Sequence, residues 1–550
     1  MKKSVNALFE ESFSSNWTCE ALSDYKGKTY HYRELAENIA KIHILFEKCG
    51  ITHGDKIAIV SRNQANWGVV FLATMTYGAV IVPILHEFKP GNIHYLVNHS
   101  ESKLLFVGSN VWEGLTESEM PDLDAIVSLQ DFSVISSRNG LSGSMSEIVD
   151  AEFKAKYPKG YSSEDIHYYE DQPEELALIS YTSGTSGFSK GVMLPYRAVY
   201  SNIMFARWAE PHMNNKSKMV SMLPSAHMYG LMFEFLFEMT IGCHTYFLTR
   251  LPTPKILLAA FAEIRPDVII SVPLVIEKIY KNMLQPFISK KRIKMLLNLP
   301  VIDQMIEKKI LASLMAAFGE RFKEVIIGGA AFNREAEAFL RRISFPFTVG
   351  YGMTECGPII TYAAYDNTRL YSCGKAAPGM EIMIDSPDPK EIPGEVLVRG
   401  DNVFLGYYKN SQATEECFTD KGWFKTGDMG VIDRDGYLYL RGRCKTMILG
   451  ASGQNIYPEE IESSINNLAY VGESLVIEDH GVLTALVYPD LELKQAENLD
   501  NDTILAKIKE GVDILNLELP NYCKIGKVEI FPEEFEKTPK KSIKRYLYQR

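Results

Sequence analysis

The densest run of chemically able side chains in this sequence is YTSGTSGFSKG, residues 181–191. Gly184, Gly187 and Gly191 allow close backbone approach and positive φ. Thr182, Ser183, Thr185, Ser186 and Ser189 supply hydroxyls, and Lys190 supplies a fixed positive charge. Backbone N–H groups, hydroxyls and one lysine converging after a strand suit a polyphosphate. The loop is not a Walker A element, because G-x-x-x-x-G-K-[ST] is absent. A flexible Gly/Ser linker has the same composition. The abrupt apolar strand ALISY (177–181) before the loop favours phosphate.

Other segments hold chemistry more thinly. In LPSAHMYG (223–230), His227 read alone is a packed core histidine. GGAA (328–331) follows the apolar EVIIG and reads as a tight turn, at the strand end where open α/β sheets bind ligands. GYGMTECGP (350–358) has glycines that bring backbone close to a ligand; unaided, its Glu355 is an exposed loop acid. Asp428 follows Gly427 in a turn, and Asp433 and Asp435 fit a plain β-turn before Gly436. The last stretch, KTPKKSIKRYLYQR (537–550), reads by composition as a solvated basic tail.

These groups need a scaffold. A chain of 550 residues is too long for one ordinary core, so two or more domains are expected. Hydrophobic residues at 46% and charged residues at 23% fit a soluble globular protein. A net charge of −11 argues against general nucleic-acid binding through phosphates. The 8 cysteines form no CxxC pair, and their scatter points to a reducing cytosol. No apolar stretch follows the N-terminal lysines, so no signal peptide is expected, and the expected location is cytoplasmic. Residues 67–85 carry no charge over 19 positions, near the threshold for a membrane span. Gly78 and Pro83 interrupt that run, which reads as a buried helix to Tyr77, a glycine cap and a buried strand AVIVP.

Helical and strand patterns alternate from the start. Leu35, Ile39, Ile42 and Phe46 share one face of a helix over 33–49. Strands are expected at 56–61, 103–109, 177–181, 267–272 and 324–329. Apolar strands alternating with helices imply an α/β fold with parallel sheets covered on both faces. From about residue 390 to 442, short strands between glycine turns indicate a β-rich subdomain. After Arg443 a compact α+β unit begins: Pro458, Glu459 and Glu460 open a helix, and 473–488 is a strand pair.

YTSGTSGFSKGVML resembles the signature loop of the adenylate-forming superfamily, which holds acyl-CoA synthetases, luciferases and peptide-synthetase adenylation domains. That loop usually reads Tyr-Thr-Ser-Gly-Thr-Thr-Gly-x-Pro-Lys-Gly; here Ser186 replaces the second threonine and Ser189 the proline. The resemblance continues in order through LPSAHMYG, GGAA, GYGMTECGP, residues 423–445, GASGQNIYPEEIE (450–462) and the tail, covering 181 to 545. HYREL (31–35) and GAVIVP are softer agreements further upstream.

What the resemblance implies can be stated residue by residue. Thr182, Ser183, Gly184, Thr185, Ser186, Gly187 and Lys190 would hold ATP phosphates, with Thr185 and Glu355 serving Mg²⁺. Gly329, Ala330, Tyr351 and Gly352 would lie against adenine, and Thr354 would meet the α-phosphate. Asp428 would accept ribose hydroxyls, and Arg443 would contact ribose and phosphate. His227 would border the acid site, and Gly450, Ser452 and Gly453 would lie beside a thiol tunnel. Lys445 would be a hinge, giving a large domain over 1–442, a hinge at 443–446 and a small mobile domain over 447–550. The implied reaction uses ATP, Mg²⁺ and coenzyme A: a carboxylate attacks the α-phosphate, then a thiol displaces AMP from the acyl-adenylate.

SVPLVIEKIYKNM (271–283) and the insertion 284–323 resemble the long-chain fatty acyl-CoA synthetase branch, so a medium- to long-chain fatty acid is the expected substrate. HMYGLMFEFLFEM (227–239) suits an aliphatic pocket and equally a core helix. SKKRIKMLL (289–297) interleaves basic and apolar residues; it could rest weakly on an anionic membrane or be a solvated helix face. Two alternatives stand beside the ligase: an adenylating enzyme that loads a separate carrier protein, and a weakened nucleotide- or acyl-binding member. The tail resembles the family's closing motif, Thr-Pro-x-x-Lys-Ile-x-Arg, whose lysine stabilises charge in adenylation. Aligned on Thr538, Pro539, Ile543 and Arg545, that position is Ser542. Lys541 is expected to substitute through a local shift or its long stem, which places Lys541 with Thr185, Glu355 and His227 in the implied catalytic set.

Overall fold

The computed structural model describes residues 4–182, 189–284, 302–449, 454–538 and 542–550. Ser183, Gly184, Thr185, Ser186 and Gly187, the basic stretch 289–297, Gly450, Ser452, Gly453 and Lys541 lie outside the described residues.

An eight-stranded sheet runs Gly406–Tyr407, Lys190–Pro195, Leu176–Thr182, Val80–Ile84, Lys56–Val60, Ser102–Val107, Ala125–Ser128, Val134–Ser137. Its five middle strands are parallel, as unbroken apolar runs such as Val80–Ile84, buried at every position, require. Its edges depart from the expected all-parallel pattern. Lys190–Pro195 returns antiparallel against Leu176–Thr182, so the Ser/Thr-rich loop joins a hairpin rather than leading into a helix. The uncharged run 67–85 folds as the sequence suggests. Helix Ala65–Tyr77 ends at Gly78, with φ of 80°, and Val80–Ile84 follows. Trp67, Phe71 and their neighbours are fully buried. Among the described residues no helix is long and apolar enough to cross a membrane.

A second sheet orders Lys218–Ser221, His244–Phe247, Glu20–Asp24 and Thr29–His31, and a parallel trio joins Ile269–Ser271, Val325–Ile327 and Phe347–Val349. The antiparallel sheet Met380–Asp385, Gly394–Gly400, Phe424–Ile432, Leu438–Arg443 begins about ten residues before the expected 390. Met380–Asp385 buries only Met380 and Ile384, so it is faint in sequence even though Pro378-Gly379 precedes it.

Beyond Lys445, Val471–Asp479 and Val482–Pro489 pair antiparallel and Lys527–Ile530 adds in parallel, with helices Pro458–Ile465 and Asn501–Glu518. Ile461, Ile465, Val476, Ala485, Ile504, Ile508 and Val528 form its core. Among the described residues no apolar cluster includes side chains from both sides of Lys445. The contacts across are polar. Lys281 Nζ donates to Val471 O at 2.7 Å, Arg334 pairs with Glu460 at 2.8 Å, Arg441 reaches Glu460 at 3.5 Å, and the Asn333 amide donates to Asn467.

One buried acid pair lies in the larger part. The Tyr362 hydroxyl donates to Glu324, and Glu210 sits against both, with Lys323 Nζ 3.9 Å and His212 Nδ1 3.4 Å from its carboxylate. Burial, and then the neighbouring Glu324, push Glu210 up to about 9. An unfolded glutamate releases its proton near 4.5, so between these values the folded chain binds more protons. Stability contributed by Glu210 is therefore full below the lower value and is lost as pH rises through the upper one. Glu210→Gln should flatten the fall in melting temperature between about pH 5 and about pH 9, read by thermal denaturation.

Candidate active site

The hairpin of Leu176–Thr182 and Lys190–Pro195 sets Thr182 opposite Lys190, with the Thr182 hydroxyl 3.5 Å from Lys190 O. The Lys190 ammonium lies over the Tyr407 ring at 4.5 Å. The Tyr407 hydroxyl donates to Glu355 Oε1 at 3.0 Å. Glu355 stands in the short turn Thr354–Cys356 and is only 8% exposed, so it is not the exposed loop acid its sequence context suggests. Thr354 is buried beside it. Glu355 is one carboxylate close to the phosphate-loop lysine. That fits a cation whose remaining oxygens come from a polyphosphate. No group of three or more His, Cys, Asp or Glu among the described residues could hold a metal alone.

A second constellation adjoins the first. Strands Phe424–Ile432 and Leu438–Arg443 put Asp428 and Arg443 in register. Arg443 Nε is 3.0 Å from Asp428 Oδ1, and the Tyr351 hydroxyl donates to Asp428 Oδ2 at 2.6 Å. Burial raises the Asp428 carboxyl, opposed by the Arg443 charge and the Tyr351 hydroxyl. The Asp428 charge raises Arg443 in turn. Asp428 is buried while the Arg443 side chain is 57% exposed, so the guanidinium projects from a fixed base. Tyr351 is itself buried, which leaves it less free as a flat platform than its sequence position suggests.

Gly352 pairs irregularly with Ile359, and a Cβ there would stand 2.1 Å from Pro358 O. A backbone carbonyl cannot yield as a side chain can, so this position excludes every other residue. Gly352→Ala should shift the 351–355 segment and abolish ATP-analogue binding by calorimetry, with a lower melting temperature.

Gly329, with φ of 89°, and Ala330 are exposed just past strand Val325–Ile327. The Tyr229 hydroxyl donates to Ile326 O at 2.9 Å, and the Tyr229 ring would meet a Cβ on Gly328 at 3.2 Å. The LPSAHMYG and GGAA segments are thereby brought together. His227 is half-buried, and its Nδ1 accepts from Tyr229 N at 3.3 Å, capping the turn Met228–Leu231. Lys445 is exposed between two pinned neighbours: Cys444 N donates to Gly427 O at 2.9 Å and the Thr446 hydroxyl to Glu459 Oε1 at 2.6 Å.

In the tail, Ser542 is exposed and tied to Thr538 through its backbone, Thr538 N donating to Ser542 O at 2.8 Å. Lys537 Nζ pairs with Glu473 and Glu534 at 2.5 Å each, and Lys544 Nζ with Glu536 at 3.0 Å. Arg545 pairs with the buried Glu462.

Residues 9–408 match the AMP-binding enzyme family and residues 445–550 its C-terminal domain. The chain belongs to the AMP-binding enzyme family. Similar proteins include a long-chain-fatty-acid–CoA ligase of Mycobacterium bovis, 27% identical over 93% of this chain and 89% of that one. A human long-chain-fatty-acid–CoA ligase is 26% identical over 94% of this chain and 80% of its own. A long chain acyl-CoA synthetase of Arabidopsis thaliana is 28% identical over 86% and 75%. Among solved structures, ATP-bound MatB from Rhodopseudomonas palustris superposes with a TM-score of 0.76 at 22% identity, covering 100% of this chain and 98% of that one. The o-succinylbenzoate coenzyme A synthetase of Bacillus subtilis with AMP gives 0.74 at 20% identity, covering 98% and 97%. These share the mixed α/β fold with its C-terminal domain.

In this AMP-binding enzyme the segment 228–239 is buried throughout and forms core helix, with a π turn at Met232–Leu236. Two of its residues escape a sequence reading. Glu234 Oε2 accepts from Leu223 N at 3.0 Å and from the Ser221 hydroxyl at 3.3 Å, steadying the turn that precedes His227. Glu238 is buried and raised to about 8 by that burial. Tyr407 is the other residue that sequence reasoning missed. Only its GY dipeptide ahead of the Asn410 helix cap marks it as a short strand before a helix.

Proposed function

We propose that this enzyme activates a medium- to long-chain fatty acid with ATP·Mg²⁺ and transfers the acyl group to coenzyme A. One observation carries the reading. The Lys190–Tyr407–Glu355 group and the Tyr351–Asp428–Arg443 group lie near enough for the Glu355 charge to act on Arg443, one suited to phosphates and their cation, the other to ribose. The relatives named long-chain-fatty-acid–CoA ligases support the choice of acid.

In the proposed first step a carboxylate oxygen bonds to the α-phosphorus and the bond to pyrophosphate breaks. Glu355 would hold the Mg²⁺, which would supply positive charge beside the phosphate oxygens. Lys190 holds the phosphate chain, Thr354 meets the α-phosphate, and Asp428 fixes the ribose with Arg443 beside it. Catalysis is positioning plus charge stabilisation, with no covalent enzyme intermediate. In the second step the coenzyme A thiol loses its proton, its sulfur bonds to the acyl carbon, and AMP leaves. Lys445 is the proposed pivot that presents the 450–453 loop for this step, its neighbours held and itself exposed.

Incubation with ATP, coenzyme A and acids of graded chain length tests the reading. AMP and a thioester, highest for medium or long chains, are the expected products. Pyrophosphate release without thioester would point to a carrier protein as acceptor. ATP binding without turnover would favour the weakened form, the reading that Ser542 in the lysine position supports.

A further inference from the structure

We propose that Tyr407 is a positioning residue that holds Lys190 and Glu355 apart, so that each stays directed at the nucleotide. This rests on the proposed activity for its consequences, though its geometry stands alone. Lys190 and Glu355 carry opposite charges and flank one aromatic side chain. Among the described residues no ion pair joins them. The Tyr407 hydroxyl occupies Glu355 Oε1 at 3.0 Å, and the face of its ring carries the Lys190 ammonium at 4.5 Å. The ring thus satisfies both charges at once, the acid by a hydrogen bond and the cation through its π face. Without it, a flexible lysine stem would close onto the carboxylate. Phosphates would then lose their cation and Mg²⁺ its acid.

The tyrosine is fixed well enough to act this way. Gly406–Tyr407 is the edge strand paired antiparallel with Val192–Met193, just past Lys190 on its own hairpin. Leu405 N donates to Met193 O at 2.9 Å and Tyr408 N to Gly191 O at 2.7 Å, bracketing Tyr407 on both sides. Tyr407 N donates to the Thr414 hydroxyl at 2.9 Å, and Phe404 packs edge-on at 4.9 Å between ring centres. Phe404 N also donates to the Glu355 carbonyl at 2.9 Å. One four-residue segment therefore holds the backbone of the acid, the carboxylate and the lysine.

The test separates the spacer from the activity. In the nucleotide-free protein, the labelling rate of Lys190 by an amine-reactive reagent is followed by peptide mass spectrometry for the wild type, Tyr407→Leu and Tyr407→Leu/Glu355→Gln. Tyr407→Leu should label on the order of fivefold more slowly, the effect of one partly exposed ion pair, and the double variant should recover the wild-type rate. Unchanged labelling in Tyr407→Leu, or no recovery in the double variant, would overturn the proposal. Tyr407→Phe keeps the ring and serves if the leucine variant fails to fold. It should bind a non-hydrolysable ATP analogue normally without Mg²⁺, lose most of the gain that Mg²⁺ gives, and exchange pyrophosphate about tenfold more slowly at an unchanged KM for the acid. Wild-type Mg²⁺ dependence in Tyr407→Phe would also overturn it. Labelling that behaves as expected in a protein that forms no acyl-adenylate would retain the spacer and sink the proposed activity instead.

Discussion

Lys541→Ala is expected to slow acyl-adenylate formation by about 10²–10³-fold, the scale for losing one group that stabilises transition-state charge. Transfer from a preformed acyl-adenylate to coenzyme A should stay near its original rate. The tail has Ser542 where the closing motif it resembles carries lysine, and a serine cannot place a positive charge there. Two other lysines of the cluster are engaged: Lys537 with Glu473 and Glu534, and Lys544 with Glu536. Lys541 is adjacent to the vacated position in sequence. The measurement is acid-dependent pyrophosphate exchange beside single-turnover thiolation. Equal adenylation by Lys541→Ala and the wild type would refute the substitution. Ser542→Lys is the companion. A large gain in adenylation there would mean that the natural chain runs this step below its capacity.

Asp428→Ala is expected to cost about 2 kcal/mol of stability through one charged hydrogen bond and the hydroxyl it leaves unpaired. It should also lower kcat/KM for ATP by about 10²-fold, since the ribose contact and the base of Arg443 go together. The Tyr351 hydroxyl would be left in a buried site without its acceptor, and the Arg443 guanidinium would lose the charge that holds it. Asp428→Asn keeps the shape and removes the charge, so it should recover much of the stability and little of the activity. Denaturant unfolding and steady-state kinetics separate the two effects. Equal kcat/KM for ATP in all three proteins would remove Asp428 from the nucleotide site.

Local signals carried much of this structure. The helix that ends at Gly78, the strands around 56–60 and 80–84, and the Asp433 turn were each written in a few adjacent residues. The candidate site residues were legible as short motifs because a loop that holds a ligand by its backbone needs glycines in a fixed local pattern. What stayed hidden depends on partners far away in sequence. Tyr407 acquires its place through pairing with a strand more than two hundred residues earlier, and only its GY dipeptide ahead of a helix cap marks it locally. Glu355 reads as an exposed loop acid until the 404–407 segment covers it. Glu210 and Glu324 form a buried pair although they lie more than a hundred residues apart in sequence. The Met380–Asp385 strand was missed because it buries only Met380 and Ile384, although Pro378 and Gly379 mark a turn just before it.

The polar seam beside Lys445 has a thermodynamic consequence. Lys281, Asn333, Arg334 and Arg441 hold the C-terminal domain, and neither apolar core extends across. Parting the seam would expose little apolar surface, so it should carry almost no change in heat capacity. The balance between docked and released positions would then vary little with temperature. Because two of its contacts are ion pairs at partly exposed side chains, dissolved salt would be the stronger control.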